Sequence, residues 1–409
     1  MTATPFPSPA PEPSDDGAGF PQSPLDWLVI GGGIHGVHVA ARLIGEAEVD
    51  PSRLRILDPG AELLSRWRRC TATTGMSHLR SPGVHHLDLE PFSLIHFAGP
   101  RRRRPRGLLK LPYDRPSLAL FNEHCDRVIE RHHLRQAHLQ AHATRCEIEE
   151  DGVAVNLCDG RRLNARQVIL AMGAGDRPHR PPWAPRGEPR VQHVFAHDFV
   201  WPDDDGAACV VVGGGISAAQ VALRAVGEGR ETHMVIRGPI RVHRFDSDPG
   251  WLGPKLYPEF QRLRHPDERR GLIQRVRYRG SVTPEVHREL KQAVTAGRLE
   301  LHETEVQRID GTGDELRVVL ADDQRLDAGN VLLATGFDPR RPGGRLVDEL
   351  VDSADLPCAA CGYPVVDPLL RWHRRIRVTG PLAELELGPV ARNIAGARRA
   401  GDRLIRSLS

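Results

Sequence analysis

The sequence has few cysteines, few aromatic residues and no long apolar run, and each shortage argues against a class of protein. Seven cysteines scattered over 409 residues are odd in number and too sparse for a disulfide framework, which favours a cytoplasmic protein. No apolar stretch approaches the ~20 residues of a membrane-spanning helix, so we expect no membrane association. The net charge of only +3, from 56 basic and 53 acidic residues, indicates no general attraction to nucleic acid.

The first 24 residues are rich in proline, serine and acidic residues, and they lack the basic start and apolar core of a signal peptide. A segment of this composition cannot bury enough apolar surface to fold. We therefore predict a disordered tail over residues 1–24. The one dense basic run, residues 101–106, lies among prolines and is interpreted as a solvated loop.

A glycine fingerprint follows an apolar, strand-like run near the start of the chain and opens a helix-like stretch. Gly31 permits a tight turn, Gly33 lets the backbone approach a pyrophosphate, and Gly36 lets the helix pack on the strand. The next strand ends at Asp58, where a carboxylate accepts hydrogen bonds from ribose hydroxyls. The pattern predicts a site for an unphosphorylated ADP moiety.

A second fingerprint, with Gly213, Gly215, Ser217 and Ala218, repeats the strand, turn and helix. Its second strand ends at Arg237, in the position that Asp58 holds in the first unit. A guanidinium suits a 2′-phosphate bidentately, whereas a carboxylate repels it. We therefore predict NADPH in the second site, with an ordinary surface arginine as the alternative interpretation of Arg237.

The duplication extends beyond the fingerprints. Residues 155–173 align without gaps to residues 318–336, with ten of nineteen positions identical. Each copy reads as a strand, a polar turn and a buried strand, and the second ends at Thr335 and Gly336. The fold class predicted is α/β, with two Rossmann-like dinucleotide-binding domains. The second domain, 205–330, is inserted into a first domain formed by 25–200 and 331–409.

Two further segments carry structural predictions. The proline-rich stretch 178–189 has the composition of a stiff connector between the domains. The end of the chain, 389–407, is predicted to be a helix, because its apolar residues recur at helical spacing and form a stripe that packs on a core.

The chain resembles two-dinucleotide-domain flavoprotein monooxygenases and, more narrowly, the lysine/ornithine N-hydroxylase family. The resemblance rests on short motifs in family order: Met76 to Leu79, Pro91 to Leu94, Pro112 to Arg115, His197 to Phe199, and Leu333 to Phe337. It implies FAD in the first domain and NADPH in the second, with Met76, Ser93 and Leu94 near the isoalloxazine ring.

The same resemblance implies the activity. NADPH would reduce the flavin, and a C4a-hydroperoxide formed with O₂ would pass oxygen to an amine or thioether of a small molecule. His78 and Arg80 are the candidate catalytic residues, hypothesised to contact flavin or substrate. Gly253 and Pro254 stand where the family carries an Asn-Glu pair, so neither lysine nor ornithine is predicted as the substrate.

Two alternatives remain open from the residues themselves. Cys358 and Cys361 have the spacing of a redox dithiol, so a flavoprotein disulfide reductase using FAD and NADPH is one alternative. A nucleotide-binding sensor without turnover is the other. The cysteine pair can also be interpreted as incidental cysteines of a turn or as half a zinc site, and we predict no metal.

Overall fold

The protein is described here from a computed structural model, which covers residues 23–175, 177–203, 206–312 and 315–408. The tail predicted over residues 1–24 lies outside the described residues apart from its last two. Within the described ranges, none of the helices has the length and apolar character needed to cross a membrane.

The helices alternate with strands along most of the chain. The helices are α1 (Ile34–Gly45), α2 (Ser65–Thr73), α3 (Ser93–Phe97), α4 (Leu118–Arg131), α5 (Leu134–Ala137), α6 (Ile216–Gly227), α7 (Tyr257–Arg262), α8 (Pro266–Val276), α9 (Pro284–Thr295), α10 (Gly344–Ala354), α11 (Glu384–Leu387) and α12 (Ile394–Arg406). The strands are β1 (Leu25–Ile30), β2 (Leu54–Asp58), β3 (Leu109–Lys110), β4 (Arg115–Pro116), β5 (His138–Gln140), β6 (Ala143–Ile148), β7 (Val153–Leu157), β8 (Arg162–Leu170), β9 (Val191–His193), β10 (Cys209–Val212), β11 (Thr232–Ile236), β12 (Arg241–Val242), β13 (Ser281–Val282), β14 (Glu300–Glu303), β15 (Val306–Thr312), β16 (Glu315–Leu320), β17 (Arg325–Asp327), β18 (Asn330–Leu333), β19 (Arg371–His373) and β20 (Ile376–Val378).

The first sheet, called sheet 1, has the order β19-β20-β8-β1-β2-β5, and the antiparallel hairpin β6-β7 extends it from β8. Its centre is parallel: β1 lies between β2 and β8, and β20 pairs with β8. The apolar runs of β1 and β2 are largely buried, as expected of parallel strands covered on both faces. The strand β20 comes from the last part of the chain. Sheet 1 is therefore complete only after the chain has passed through the second nucleotide unit.

The second sheet, called sheet 2, is parallel throughout, with the order β14-β11-β10-β18-β9. An antiparallel meander, β15-β16-β17, joins β14 to β18. The fold class predicted from the sequence, two Rossmann-like units with the second inserted in the first, is confirmed. Sheet 2 starts earlier than residue 205, since β9 already belongs to it.

The proline-rich stretch 178–189, predicted as a stiff connector, is better described as part of the second unit. Ala184 is buried, and Trp183 packs against the same cluster as Val210 and Val331 of sheet 2. These apolar side chains pack on the core of the second unit, whereas in a connector that ran through solvent they would be exposed.

The last helix is shorter than the range 389–407 predicted for it. Residues 389–393 form turns, and α12 begins where the Asn393 side chain accepts a hydrogen bond from the Gly396 N–H at 2.9 Å. The predicted apolar stripe is correct, because Ile394, Ala397 and Leu404 are buried. The helix α12 packs against α1 and so covers the first nucleotide unit from outside.

Candidate functional site

The first glycine turn is held between two strands of sheet 1. Gly31 has a φ of +111° and donates its N–H to the Leu57 carbonyl at 2.8 Å. A Cβ on Gly31 would lie 2.7 Å from the Ala171 carbonyl oxygen, and one on Gly36 would lie 1.8 Å from the Gly31 carbonyl oxygen. Both positions therefore require glycine on steric grounds, as the fingerprint predicts.

Gly33 differs from its neighbours because a Cβ there would meet no atom within 4 Å. It is the N-cap of α1, and no side chain caps the helix. The first N–H groups of an α-helix have no partner within the helix and attract anions. Open space in front of an uncapped helix start is the shape that a dinucleotide pyrophosphate requires, so the residues present fit FAD.

Asp58 reaches back to this turn from the end of β2. Its carboxylate accepts hydrogen bonds from the Gly32 N–H at 2.6 Å and the Gly60 N–H at 2.8 Å. A carboxylate offers about four acceptor positions. The positions that remain are available to the ribose hydroxyls that the sequence assigns to Asp58.

The second turn repeats this geometry. Gly213 has a φ of +146° and donates its N–H to the Val235 carbonyl at 3.0 Å. A Cβ on Gly213 would lie 2.5 Å from the Ala334 carbonyl oxygen. Ala171 and Ala334 thus occupy equivalent places, and the repeated segments found in the sequence are the strands that close each glycine turn.

The turn continues into α6, whose N-cap is Gly215 without a side-chain cap. Ser217 lies in the first turn of α6, and Ala218 is buried with its Cβ close to Gly213. A methyl group is accommodated here, whereas the first unit accepts only Gly36 at the same position. An uncapped helix N-terminus of this kind attracts a phosphate group.

Arg237 lies exposed directly after β11. Among the residues that the structure describes, its guanidinium has no hydrogen-bond or ion-pair partner, which leaves it available to a ligand. Thr335 has a structural contact of its own. Its hydroxyl donates to the His179 carbonyl, and the Gly336 carbonyl accepts from the His179 N–H at 2.9 Å, so this turn fastens the 178–189 segment to sheet 2.

A cavity of about 510 Å³ opens at the carboxyl end of sheet 1. His142 and Ala143, which follow β5, form one wall, while Met172 and Gly343 form another. Met172 adjoins Ala171, the residue against which Gly31 packs. Ligands of open α/β sheets bind at this edge.

A second cavity of about 300 Å³ lies between the two units. Unit 1, the part of the chain around sheet 1, contributes the loop 75–80 and Lys110. Unit 2, the part around sheet 2, contributes Gln220 of α6 and Glu289 of α9. The loop carries His78 and Arg80, the two candidate catalytic residues, so the structure brings them to this cavity.

A cluster of three charged side chains, two of which line the cavity, was not predicted from the sequence. Arg115 lies 3.1 Å and Arg244 lies 2.8 Å from the same carboxylate oxygen of Glu285, and the side chains of Arg115 and Glu285 are only 4% and 10% exposed. Burial by itself would raise the pKa of Glu285, but the hydrogen bond from Arg244 and the charge of Arg115 lower it to about 2. The other oxygen, Oε2, is buried without a hydrogen-bond partner among the described residues.

One local feature of the sequence could have drawn attention to Glu285. Thr283 and Pro284 are a helix start, with the Thr283 side chain accepting from the Val286 N–H, and an acidic residue belongs in that first turn. Nothing local indicates the two arginines, because they come from β4 and from the segment after β12.

His78 has fewer hydrogen-bond partners within the protein than Arg80. The Nε2 of His78 lies 2.6 Å from the Gly107 carbonyl. Arg80 donates to the carbonyls of Arg244, His243 and Phe245 and to the Ser281 hydroxyl, at 2.6 to 3.0 Å. The Arg80 guanidinium therefore holds unit 2 against unit 1. We expect a positioning role for Arg80 in place of the catalytic one.

We predict that Arg80→Ala lowers the free energy of unfolding by roughly 3 kcal/mol, since several hydrogen bonds from one charged donor are lost. NADPH-driven flavin reduction should slow about tenfold, a barrier change of ~1.4 kcal/mol, because Ser281 adjoins Gly280, which packs on Gly215. Urea denaturation and stopped-flow reduction measure the two effects. His78→Ala is the control, with an expected loss below ~1 kcal/mol. Wild-type stability and reduction rate in Arg80→Ala would contradict the positioning role.

Met76, Ser93 and Leu94, which the resemblance places near the isoalloxazine ring, have different surroundings in the structure. Met76 is half-buried against the core of unit 1. The Ser93 hydroxyl is shared by Asp88 and His124, and Leu94 is fully buried. Neither Ser93 nor Leu94 lines the cavity that contains His78.

Cys358 and Cys361 are both exposed free thiols. Burial raises the pKa of Cys358, and the neighbouring Cys361 adds to the rise despite the opposing charge of Arg341. A nucleophilic redox dithiol needs the opposite shift, toward thiolate. Neither cysteine lines either of the two cavities described above.

Two family models match the chain. One, described as FAD-NAD(P)-binding, matches residues 28–175, and one described as pyridine nucleotide-disulphide oxidoreductase matches residues 104–275. These matches confirm the predicted class, an oxidoreductase that binds FAD and a nicotinamide nucleotide. No curated protein sequence matched the chain.

Solved structures extend the likeness to nearly the whole chain. The ornithine N-hydroxylase of Kutzneria sp. 744 superposes with a TM-score of 0.75 at 18% identity, covering 94% of this chain and 99% of that one. The ornithine hydroxylase PvdA of Pseudomonas aeruginosa gives 0.73 at 16%, with 94% and 99% covered. The cadaverine monooxygenase DfoA of Erwinia amylovora gives 0.71 at 14%, with 95% of each chain covered. The chain therefore has the fold of the N-hydroxylating flavin-dependent monooxygenases.

Proposed function

We propose that the protein is an FAD- and NADPH-dependent monooxygenase that transfers one oxygen atom from O₂ to a soft nucleophile, an amine or thioether, of a small molecule. The observation that carries this proposal is the 300 Å³ cavity between the units. One wall is the loop that includes His78, and the opposite wall begins with Ile216, the first residue after the second glycine turn. Two redox cofactors bound at the two turns would meet across such a space.

Unit 1 would hold FAD. The turn from Gly31 to Gly36 would receive the pyrophosphate in the open space at Gly33, and Asp58 would bind the ribose. The 510 Å³ cavity beside Met172 suits the adenine end. Bound FAD supplies the electron transfer and the activation of O₂.

Unit 2 would hold NADPH. The N–H groups at the start of α6, from Gly215 to Ala218, would bind its pyrophosphate. Arg237 would pair with the 2′-phosphate, because its guanidinium is exposed and has no other partner among the described residues. The chain's part in hydride transfer is then to hold the two nucleotides against each other.

The cavity wall suits a small substrate with an N–H donor. Glu285 lines the cavity, and its buried Oε2 lacks a partner among the described residues, so a small movement of the side chain would let an amine of the substrate satisfy this acceptor. Lys110 and Arg115 add positive charge to the same wall. An amine that also carries an acidic group is the substrate class that these charges favour.

Anaerobic reduction followed by rapid mixing with O₂ tests the proposal. NADPH is expected to bleach the bound flavin, and O₂ should then produce a transient absorbing species before the oxidised flavin returns. A direct return to oxidised flavin would contradict a monooxygenase and favour a reductase or oxidase. A protein that binds both nucleotides without bleaching would be a sensor.

The family model for disulphide oxidoreductases keeps a reductase as the second candidate. Cys358→Ser separates the two. NADPH-driven flavin turnover should be unchanged in this variant if the protein is a monooxygenase, and it should be abolished if Cys358 and Cys361 are the redox dithiol.

A further inference from the structure

Two histidines and a glutamate converge on one face of sheet 2, outside the proposed nucleotide site. His233 lies on β11, and Glu300 and His302 lie on the neighbouring edge strand β14. The parallel register places His233 beside Glu300 and Val235 beside His302. Because alternate residues of a strand share a face, the three side chains point to the same side of the sheet.

Their ligand atoms form a compact triangle. The Nδ1 of His233 lies 3.1 Å from the Nε2 of His302 and 2.9 Å from a carboxylate oxygen of Glu300. The third edge, from His302 Nε2 to the same carboxylate, is 3.7 Å. In a tetrahedral zinc site with bonds of about 2.0–2.1 Å, two ligand atoms are about 3.3 Å apart. The triangle therefore already has the dimensions of one face of a zinc coordination sphere.

Each imidazole has a further polar neighbour. The Nε2 of His233 lies 3.4 Å from Glu231, and the Gln324 side chain hydrogen-bonds the His302 ring. Acceptors that take the outer N–H of a histidine direct the lone pair of its other nitrogen inward. Two lone pairs and a carboxylate oxygen that face one another at about 3 Å repel unless a proton or a metal cation lies between them.

We propose that His233, Glu300 and His302 bind a divalent transition-metal ion such as Zn²⁺, with water as the fourth ligand. Imidazole nitrogens with one carboxylate oxygen are a ligand set typical of zinc. Glu300 is exposed at the sheet edge, which gives the ion access to the site. The ion ties the edge strand β14 to β11 and, through Gln324, to the turn between β16 and β17.

The role of this ion is structural, because it lies away from the nucleotide. His233 is four residues before Arg237, which corresponds to about 13 Å along a strand. Glycine turns and phosphates lie at the carboxyl end of sheet 2, whereas His233 is the second residue of β11. The site is independent of the proposed oxygen transfer and is testable without measuring activity.

Titration of the tag-free, chelator-treated full chain with Zn²⁺ or Co²⁺ tests the proposal. Calorimetry is expected to show one equivalent bound per chain, Co²⁺ should give the visible absorption of a tetrahedral site, and the ion should raise the unfolding temperature. His302→Gln and Glu300→Gln should each weaken binding at least about tenfold. Glu303→Gln is the matched control, since Glu303 is exposed on the same strand but on its opposite face.

Two results would overturn the site: no stoichiometric binding by the wild-type chain, or equal binding by the wild type and by both His302→Gln and Glu300→Gln. Glu300 is exposed and belongs to an edge strand, so Glu300→Gln should fold even where a histidine variant does not. Circular dichroism of each variant without metal establishes that it is folded before the titrations are compared.

Discussion

Gly36→Ala is expected to leave the protein with less than about a tenth of its flavin and to lower its free energy of unfolding by roughly 3 kcal/mol. A Cβ at this position would lie 1.8 Å from the Gly31 carbonyl oxygen. The start of α1 must then move away from β1, and the N–H groups that face the pyrophosphate move with it. The ratio of flavin to protein absorbance after purification with excess FAD, together with urea denaturation, measures both effects.

Gly33→Ala is the matched control, because it adds the same methyl group to the same turn. A Cβ on Gly33 meets no protein atom within 4 Å, so the flavin-free variant should unfold at the same urea concentration as the wild type. Its affinity for FAD should fall about tenfold, or ~1.4 kcal/mol, if the pyrophosphate occupies this open space. Full flavin content in Gly36→Ala would refute the assigned packing, and full affinity in Gly33→Ala would place the pyrophosphate elsewhere.

Arg237→Ala is expected to raise the KM for NADPH by roughly 10- to 100-fold and to leave the KM for NADH unchanged. The variant loses charge-assisted hydrogen bonds worth about 1.5–3 kcal/mol, and only NADPH carries the 2′-phosphate that accepts them. Steady-state flavin reduction with each nucleotide measures the change. A wild-type preference for NADH would remove the basis of this assignment.

Arg298→Ala provides the control for Arg237→Ala. Arg298 is exposed in the same unit and precedes β14, at the end of sheet 2 opposite to the glycine turn. The two substitutions remove the same charge from unit 2, so an effect that depends only on the net charge of the unit would appear in both variants. Equal effects on NADPH would therefore show that Arg237 makes no specific contact with the 2′-phosphate.

The two units are connected by arginines as well as by the chain. Arg80 of unit 1 reaches the segment 243–245 of unit 2, and Arg224 of unit 2 donates to the Ala72 and Thr73 carbonyls at the end of α2. Each arginine binds backbone carbonyls and so holds a main-chain position. We infer that these contacts set the width of the cavity in which the two cofactors would meet.

The two nucleotide turns could be predicted in detail, and the reason is their locality. Each turn consists of a strand, a few glycines and a helix start that are adjacent in sequence, and steric limits at Gly31, Gly36 and Gly213 leave little choice of residue. The repeat that ends near Ala171 and Ala334 was visible for the same reason, since each copy closes an equivalent turn. The predicted bounds of the helices were less accurate. In α12 the helix begins at its cap, after a turn, and the spacing of the apolar residues does not show where that turn ends.

The wall of the cavity between the two units could not be predicted from the sequence. Glu285 pairs with Arg115 and Arg244, which come from distant parts of the sequence. Arg80 illustrates the same limit: the sequence analysis singles it out as a candidate catalytic residue, but only the tertiary structure shows that its donors bind unit 2. Residue type and spacing do not reveal which donors are already used.

The sequence by itself determined that the chain contains two glycine turns of unequal charge, with Asp58 in one and Arg237 in the other. It could do so because each glycine turn and the nearby strand ends are formed by residues that are close together in the sequence. Tertiary structure alone decided which side chains surround the cavity, which arginines hold the two units together, and that His233 meets His302. Those contacts depend on strand register and on how the two units pack, and both are set by the burial of apolar residues spread over the whole chain.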